Sequence, residues 1–237
     1  MEVIKSELMF PKLNRMEIAL LSTLGNEWST ESNQILFNPG ETDVPVFVVL
    51  DGRLEILRVF ESSEILVVAH EPGEFTGEVN LLSGSASPVR GKTSEPSRLI
   101  EIKRSDLRHI AQTNSLLSEV FLSSYLLRRA YSVSNITGDS LLVGSNHSAG
   151  TLRVKALLER KACPYTYLDL DRDPAVQWLL DEFAVRPEEV PILICEGRTM
   201  LRNPSNAMIS ASLEVESSAD NSSLWAIEMA VYSPGVK

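Results

Sequence analysis

The chain is poor in the residues that carry most site chemistry. It has two cysteines, Cys163 and Cys195, in 237 residues, too few for a disulfide framework. Its three histidines, His70, His109 and His147, stand singly with no metal-ligand spacing around them, so no metal site is expected. Aromatics make up only 6% of the chain. No apolar run approaches the roughly 18 residues that a membrane span requires, and Met1-Glu-Val-Ile-Lys lacks the basic start and apolar core of a secretory signal. Positive charge is short too: 22 Lys and Arg against 32 Asp and Glu leave a net charge of -10. A nucleic-acid partner needs clustered cations to displace counterions, so none is expected. These absences read as a cytoplasmic protein with neither a membrane nor a nucleic-acid partner.

What is present is punctuated by turns. Apolar spacing in residues 11–28 predicts an amphipathic helix opened by Pro11. Strand-like pieces follow at 34–37, 46–50, 53–60 and 64–70, then at 89–93 and 97–102. Asn38-Pro-Gly, Asp51-Gly52 and Glu61-Ser-Ser separate the first four, and Asp51-Gly52 reads as a two-residue hairpin. Many short strands with regular turns predict an antiparallel jelly-roll barrel. Ser105-Asp106 reads as a helix cap, and 115–131 as a longer helix with Leu116, Leu117, Val120, Phe121, Leu126 and Leu127 on its apolar side.

Between strands 64–70 and 89–93 runs Pro72-Gly-Glu-Phe-Thr-Gly-Glu-Val-Asn-Leu-Leu82. Gly73 and Gly77 allow the close backbone approach from which an anion nest is built, and Glu78 could accept a bond from a ligand hydroxyl. The same residues also fit a tight turn whose carboxylate caps local amides. With Phe37…Gly40-Glu41 and Phe47-Val-Val-Leu-Asp-Gly52, this stretch resembles the cyclic-nucleotide-binding domain family, over roughly residues 10–131. The resemblance implies a regulatory module for a cyclic nucleotide or another small phosphorylated ligand, bound by Gly77, Glu78, Val79, Ser85 and Ala86. In that family the Glu78 position accepts from the ribose hydroxyl and a later arginine pairs with the phosphate. Here the arginine position falls at Ser85 or Ala86, and the arginine is missing. Arg90 lies about 13 Å further along an extended strand, too far to substitute simply.

From Ser140 the pattern changes to β-α-β-α-β-β: an apolar run at 141–144, helices at 151–162 and after Asp171, and strands at 165–170, 190–194 and 200–201. This resembles glutaredoxin, in the thioredoxin fold, over about residues 140–205, with Val190-Pro191 where that family keeps a cis-proline. The resemblance puts Ser148 and Thr151 at the positions of the exchange cysteines, so the domain is expected to be redox-silent. Cys163 reads as a loop thiol and Cys195 as a core thiol. Asp169, Asp171 and Asp173 read as carboxylates that favour a helix N-terminus without a metal, and the histidines as surface or capping residues.

The expected fold class is therefore α+β: an antiparallel β jelly-roll barrel with flanking helices, followed by an α/β thioredoxin-like domain. The expected division is 1–132, a linker at 133–139, 140–205, and a serine-rich tail at 206–237 that reads as disordered. The pair of domains is similar to the front half of bacterial fused thioredoxin reductases, carried by Gly144-Ser-Asn-His-Ser-Ala-Gly-Thr-Leu-Arg153 and Leu201-Arg-Asn-Pro-Ser205. No Gly-x-Gly-x-x-Gly or Cys-x-x-Cys occurs, so no FAD or NADPH site is expected. Two expectations follow: a sensing module that is no enzyme on its own, or an accessory or truncated part of a reductase system with a separate catalytic partner.

Overall fold

A computed structural model describes residues 8–61, 63–77, 85–133 and 140–217. The chain divides into two compact units, Met1–Tyr125 with Ala175–Ala184, and Leu126–Pro174 with Val185–Lys237. Among the described residues no helix is long and apolar enough to cross a membrane.

The first unit opens with α1 (Arg15–Leu24). Asn14 caps it, accepting from the amides of Met16 and Glu17 while Glu17 reaches back to the Asn14 N–H, a box that contributes about 1 kcal/mol. The helix is shorter than its apolar spacing predicts, for two reasons. The cap sets its start at Asn14 rather than Pro11, and Gly25 ends it against Ile100 and the Glu101 carbonyl. Asn26–Trp28, read as the end of that helix from the sequence, instead open strand β1 (Asn26–Thr30).

Six further strands follow: β2 (Ile35–Phe37), β3 (Val46–Asp51), β4 (Leu54–Phe60), β5 (Ser63–His70), β6 (Arg90–Thr93) and β7 (Ser97–Ile102). They form two antiparallel sheets, β1-β7-β3 and β2-β6-β4-β5, in a jelly-roll-like arrangement. Phe37, Val44, Phe47, Val49, Leu54, Val89 and Leu99 form one buried cluster drawn from both sheets. Each such side chain contributes roughly 1.5–3 kcal/mol by leaving water. Asp51-Gly52 is not a hairpin. β3 pairs with β7, and β4 pairs with β6 and β5, so this dipeptide turns the chain from one sheet to the other. Gly52 has φ +80°, and a Cβ there would collide with Ser97 and the Pro96 carbonyl. The hairpin forms one strand later, where β4 meets β5 with Phe60 opposite Ser63.

Helix α2 (Arg104–Thr113) starts at Lys103 without a side-chain cap, so Ser105 and Asp106 lie inside its first turn rather than capping it. Helix α3 (Ser115–Val133) starts where Asn114 Oδ1 accepts from the Leu117 amide at 2.9 Å. Its residues 121–128 are all buried, whereas Leu116, assigned to its apolar side from the sequence, is 75% exposed. Two buried serines are tolerated because their hydroxyls bond backbone carbonyls, Ser123 to Glu119 and Ser124 to Met9.

The second unit is a four-stranded sheet in the order β11-β10-β8-β9. Its elements are β8 (Ser140–Gly144), α4 (Ala149–Arg160), β9 (Tyr165–Asp169), β10 (Ile192–Cys195), β11 (Thr199–Arg202) and α6 (Asn206–Ser217). Helix α5 (Pro174–Glu182) lies between β9 and β10 in sequence, and its residues from Ala175 on count with the first unit. β8 and β9 are parallel, and the other two pairs antiparallel. This is the β-α-β-α-β-β succession that the sequence predicts. Leu142, Val154, Leu157, Leu158, Leu193, Cys195 and Ile209 form its core, with Leu213 packed against it. Ile209 is the correction to a tail read as disordered from residue 206. It sits fully buried on α6, so Asn206–Ser217 is an integral helix. Of the linker expected at 133–139, Val133 is the last residue of α3, and 134–139, like the residues after 217, lie outside the described residues.

Candidate functional site

The turn after β5 is built against β3. Gly73 N–H donates to the Val49 carbonyl (2.8 Å), Val49 N–H to the Glu74 carbonyl (2.9 Å), and Thr76 N–H to the Phe47 carbonyl (2.9 Å). Phe75 bridges Val48 in antiparallel fashion, and the Thr76 hydroxyl accepts from the Phe47 amide at 2.9 Å. Residues 73–76 are thus buried, and the chain reaches Gly77 on a fixed rail. Gly77 has φ +112°, and a Cβ added there would lie 3.0 Å from both Cε1 and Oη of Tyr125. Glycine is required at that point by conformation and by space. Glu78 and Val79, the suspected ligand contacts, lie outside the described residues.

The far end of the segment is fixed as well. Ser85 and Ala86 are exposed, and at Ser87 the chain locks onto the Asn38–Glu41 turn. There Gly40 N–H donates to the Ser87 carbonyl and Ser87 N–H to the Glu41 carbonyl, each at 2.8 Å. Arg90, the nearest downstream arginine, is committed elsewhere. Its Nε donates to Asn38 Oδ1 at 2.9 Å, and Nη1 pairs with Glu64 Oε1. Hydrogen bonds from Lys92 and Arg90 hold the Glu64 carboxyl below its ordinary value.

Sequence reasoning missed two parts of this site. Tyr125 is fully buried, and its hydroxyl points at the Thr76 carbonyl, 3.5 Å away. It stands four residues after Phe121, a helical spacing that could have placed both on one face. His70 was read as a surface or capping residue. It is 2% exposed, with Nδ1 3.6 Å from the equally buried carboxylate of Glu74 at the foot of the turn. His109 and His147 are exposed as expected.

In the second unit the fold gathers the three degenerate redox positions. Ser148 is the N-cap of α4 and makes no side-chain cap bond. Thr151 is fully buried, and its hydroxyl finds no hydrogen-bond partner among the described residues. The Val190–Pro191 bond is cis, as the sequence resemblance implies. A Cβ on Gly150 would lie 3.0 Å from Pro191 Cδ, and one on Gly144 would meet Thr151 and, at 3.3 Å, Pro191 Cβ. Cys195 is buried at the end of β10, and Cys163 is half-buried with its sulfur 3.9 Å from the Ser140 hydroxyl.

The aspartates bind a loop as well as lying near a helix start. Asn146 Nδ2 donates to Asp169 (2.7 Å), the Ser145 hydroxyl and Asn146 N–H donate to Asp171 (2.9 and 3.1 Å), and Arg129 grips Asp173 with two bonds. Beside them Lys155 Nζ stands 3.3 Å from the centre of the Tyr167 ring. Burial lowers the Lys155 pKa against the pull of Asp169 and Glu159, and burial, together with Asp169 and Asp171, raises that of Tyr167. Among the described residues no group of His, Cys, Asp and Glu could hold a metal ion.

The first unit is thus a jelly-roll-like β domain with flanking helices, carrying a glycine-led turn between two pinned ends. Residues 27–114, the stretch that includes this turn, match the family model of the cyclic nucleotide-binding domain. Over 90 residues the chain is 31% identical to the potassium channel KAT1 of Oryza sativa subsp. japonica, covering 38% of this chain and 12% of the channel. It therefore spans about an eighth of that relative's length. Among solved structures, a Thermotoga maritima transcriptional regulator is similar over 49% of this chain and 93% of its own, at 18% identity and a TM-score of 0.44. A protein solved in work on a cyclic-GMP-dependent signalling pathway that regulates bacterial phytopathogenesis is 26% identical, covering 51% of this chain and 92% of its own, with a TM-score of 0.40.

Proposed function

We propose that the first unit is a regulatory module that binds a cyclic nucleotide weakly. Glu78 would accept from the ribose hydroxyl, the amides of Gly77 to Val79 would face the phosphate, and Ser85 and Ala86 would stand where an arginine is absent. The observation that carries this reading is the Gly77 turn, held by β3 and Tyr125 inside the segment that matches the family. A charged hydrogen bond contributes roughly 1.5–3 kcal/mol, so lacking one costs about ten- to a hundredfold in affinity.

The second unit is, in this reading, a thioredoxin-like domain without redox activity. Its support is the β11-β10-β8-β9 order with one parallel pair, and Pro191 packed beside the start of α4. Ser148 and Thr151 at that helix start cannot exchange disulfides. The chain is no enzyme by itself, and a reductase chain carrying flavin and NADPH is the partner implied by its sequence resemblance alone.

The test is thermal unfolding with and without cyclic AMP or cyclic GMP. Ligand at about a hundred times its Kd adds roughly 2.7 kcal/mol to stability and raises Tm. A Tm unmoved by millimolar concentrations of both would reject the reading.

A further inference from the structure

Aromatic residues are only 6% of the chain, yet four of them meet in the first unit. Phe75, directly before the Thr76-Gly77 pair, packs on Phe121 with ring centres 4.5 Å apart and edge-on to Tyr125 at 5.9 Å. Tyr125 stacks on Phe121 at 5.9 Å and meets Phe183 edge-on at 6.1 Å. All four are at most 3% exposed. Tyr125 therefore faces two ways, with its hydroxyl edge against Gly77 and its ring against Phe183.

Phe183 belongs to the segment Ala175–Ala184, and that segment is fastened to α2 as well. Arg108 Nε and Nη2 each donate to a separate oxygen of Glu182 at 2.7 Å, and the Arg104 guanidinium lies 4.7 Å over the Trp178 ring. Glu182 pulls the Arg108 pKa up, mainly through those bonds. A close-packed interior leaves no slack, so a turn that backs onto a ring shifts whatever the ring packs against. In sequence the segment is flanked by Pro174 and Val185, which count with the second unit.

We infer that Ala175–Ala184 is the output element of the Gly77 turn, with Tyr125 as the positioning residue that links them. The inference rests on the reading that this turn binds a cyclic nucleotide. Linkage makes the coupling reciprocal, and couplings of this kind are typically about 5–150-fold in affinity.

The experiment uses the full chain with Trp28→Phe and Trp225→Phe, leaving Trp178 as the fluorescent reporter inside the segment. Gly77→Ala pushes a methyl group onto Tyr125 without any nucleotide. It should change acrylamide quenching of Trp178 roughly twofold, and Tyr125→Phe in the same chain should return it part of the way. Gly40→Ala strains a glycine of φ +90° with nothing within 4 Å, and should leave Trp178 unchanged. A folded Gly77→Ala chain with unchanged quenching overturns the inference. Should Gly77→Ala fail to fold, Phe183→Leu reads the link from the other end: amide exchange at Thr76 and Gly77 should quicken roughly tenfold, and an unchanged rate overturns it. Cyclic AMP and cyclic GMP separate the two readings. Heat of binding without a Trp178 response overturns the inference and leaves the binding site. No heat with either nucleotide overturns the binding site, and the variants then decide the link alone.

Discussion

Installing an arginine at Ser85 or Ala86 asks directly whether the segment past Gly77 faces a phosphate. Both side chains are exposed, so either substitution should change stability by no more than about 0.5 kcal/mol. The existing cation nearby does not confuse the result, because Arg90 stays bonded to Asn38 and Glu64. A guanidinium on a phosphate oxygen contributes roughly 1.5–3 kcal/mol, and from an exposed position the lower end applies. The expected gain is therefore about tenfold in Kd for whichever of the two faces the ligand, and little for the other, since neighbouring side chains on an extended chain point to opposite sides. Isothermal titration with cyclic AMP and cyclic GMP at two salt concentrations measures it. The gain should shrink as salt screens the new pair. Tighter binding in neither variant would show that the phosphate does not face this stretch, and would leave the tight-turn reading of Gly77-Glu78.

Three further outcomes follow from the packing and the charges. Gly91→Ala should destabilise the first unit by about 1–3 kcal/mol, because the new methyl would collide with the Phe37 ring; unchanged denaturant midpoints would contradict it. The Glu189 carboxyl is held below its ordinary value, first by the Arg186 backbone N–H and then by the Arg186 and Arg202 guanidinium groups. A depressed carboxyl adds stability that is full above its unfolded pKa, near 4.5, and is lost as pH falls through the lower folded value. Unfolding at pH 7 and at acid pH should therefore show a smaller acid loss in Glu189→Gln than in the parent chain, and equal losses would refute the assignment. The chain should not reduce a glutathione mixed disulfide, whereas Ser148→Cys should gain a thiol more acidic than the ordinary value of about 8.5. Turnover by the parent chain that disappears in Cys163→Ser would show that the loop thiol was misread.

The glycine-centred turns and the β-α-β-α-β-β succession were legible because their signals are local. A positive φ at Gly40, Gly52, Gly73 and Gly77 is written in residue type. What escaped was set by distant partners. Asn26-Glu-Trp-Ser-Thr30 has little apolar alternation and becomes a strand because β7 pairs along its whole length. Asp51-Gly52 has hairpin chemistry, yet Gly52 is pressed against Pro96 and Ser97 at a corner between sheets. The serines of Asn206–Ser217 dilute its apolar stripe, but Ile209 with Leu213 suffices to dock one helix on a core already made. The positive-φ turn at Gly77 and, separately in the second unit, the position of Pro191 beside the start of α4 could be read in advance as local geometry. Spacing from Phe121 could place Tyr125 on the same helical face, but not the packing of that face against Gly77, which comes from where α3 lies.

Cyclic-nucleotide binding through Gly77, Glu78 and Val79 is the proposal on which the regulatory reading depends. Isothermal titration of the parent chain and of Glu78→Ala with cyclic AMP and cyclic GMP tests it most directly. Weak, saturable binding by the parent chain, weakened more than about tenfold in Glu78→Ala, is the result the account predicts. Binding that is absent in the parent chain, or equal in both chains, would contradict it.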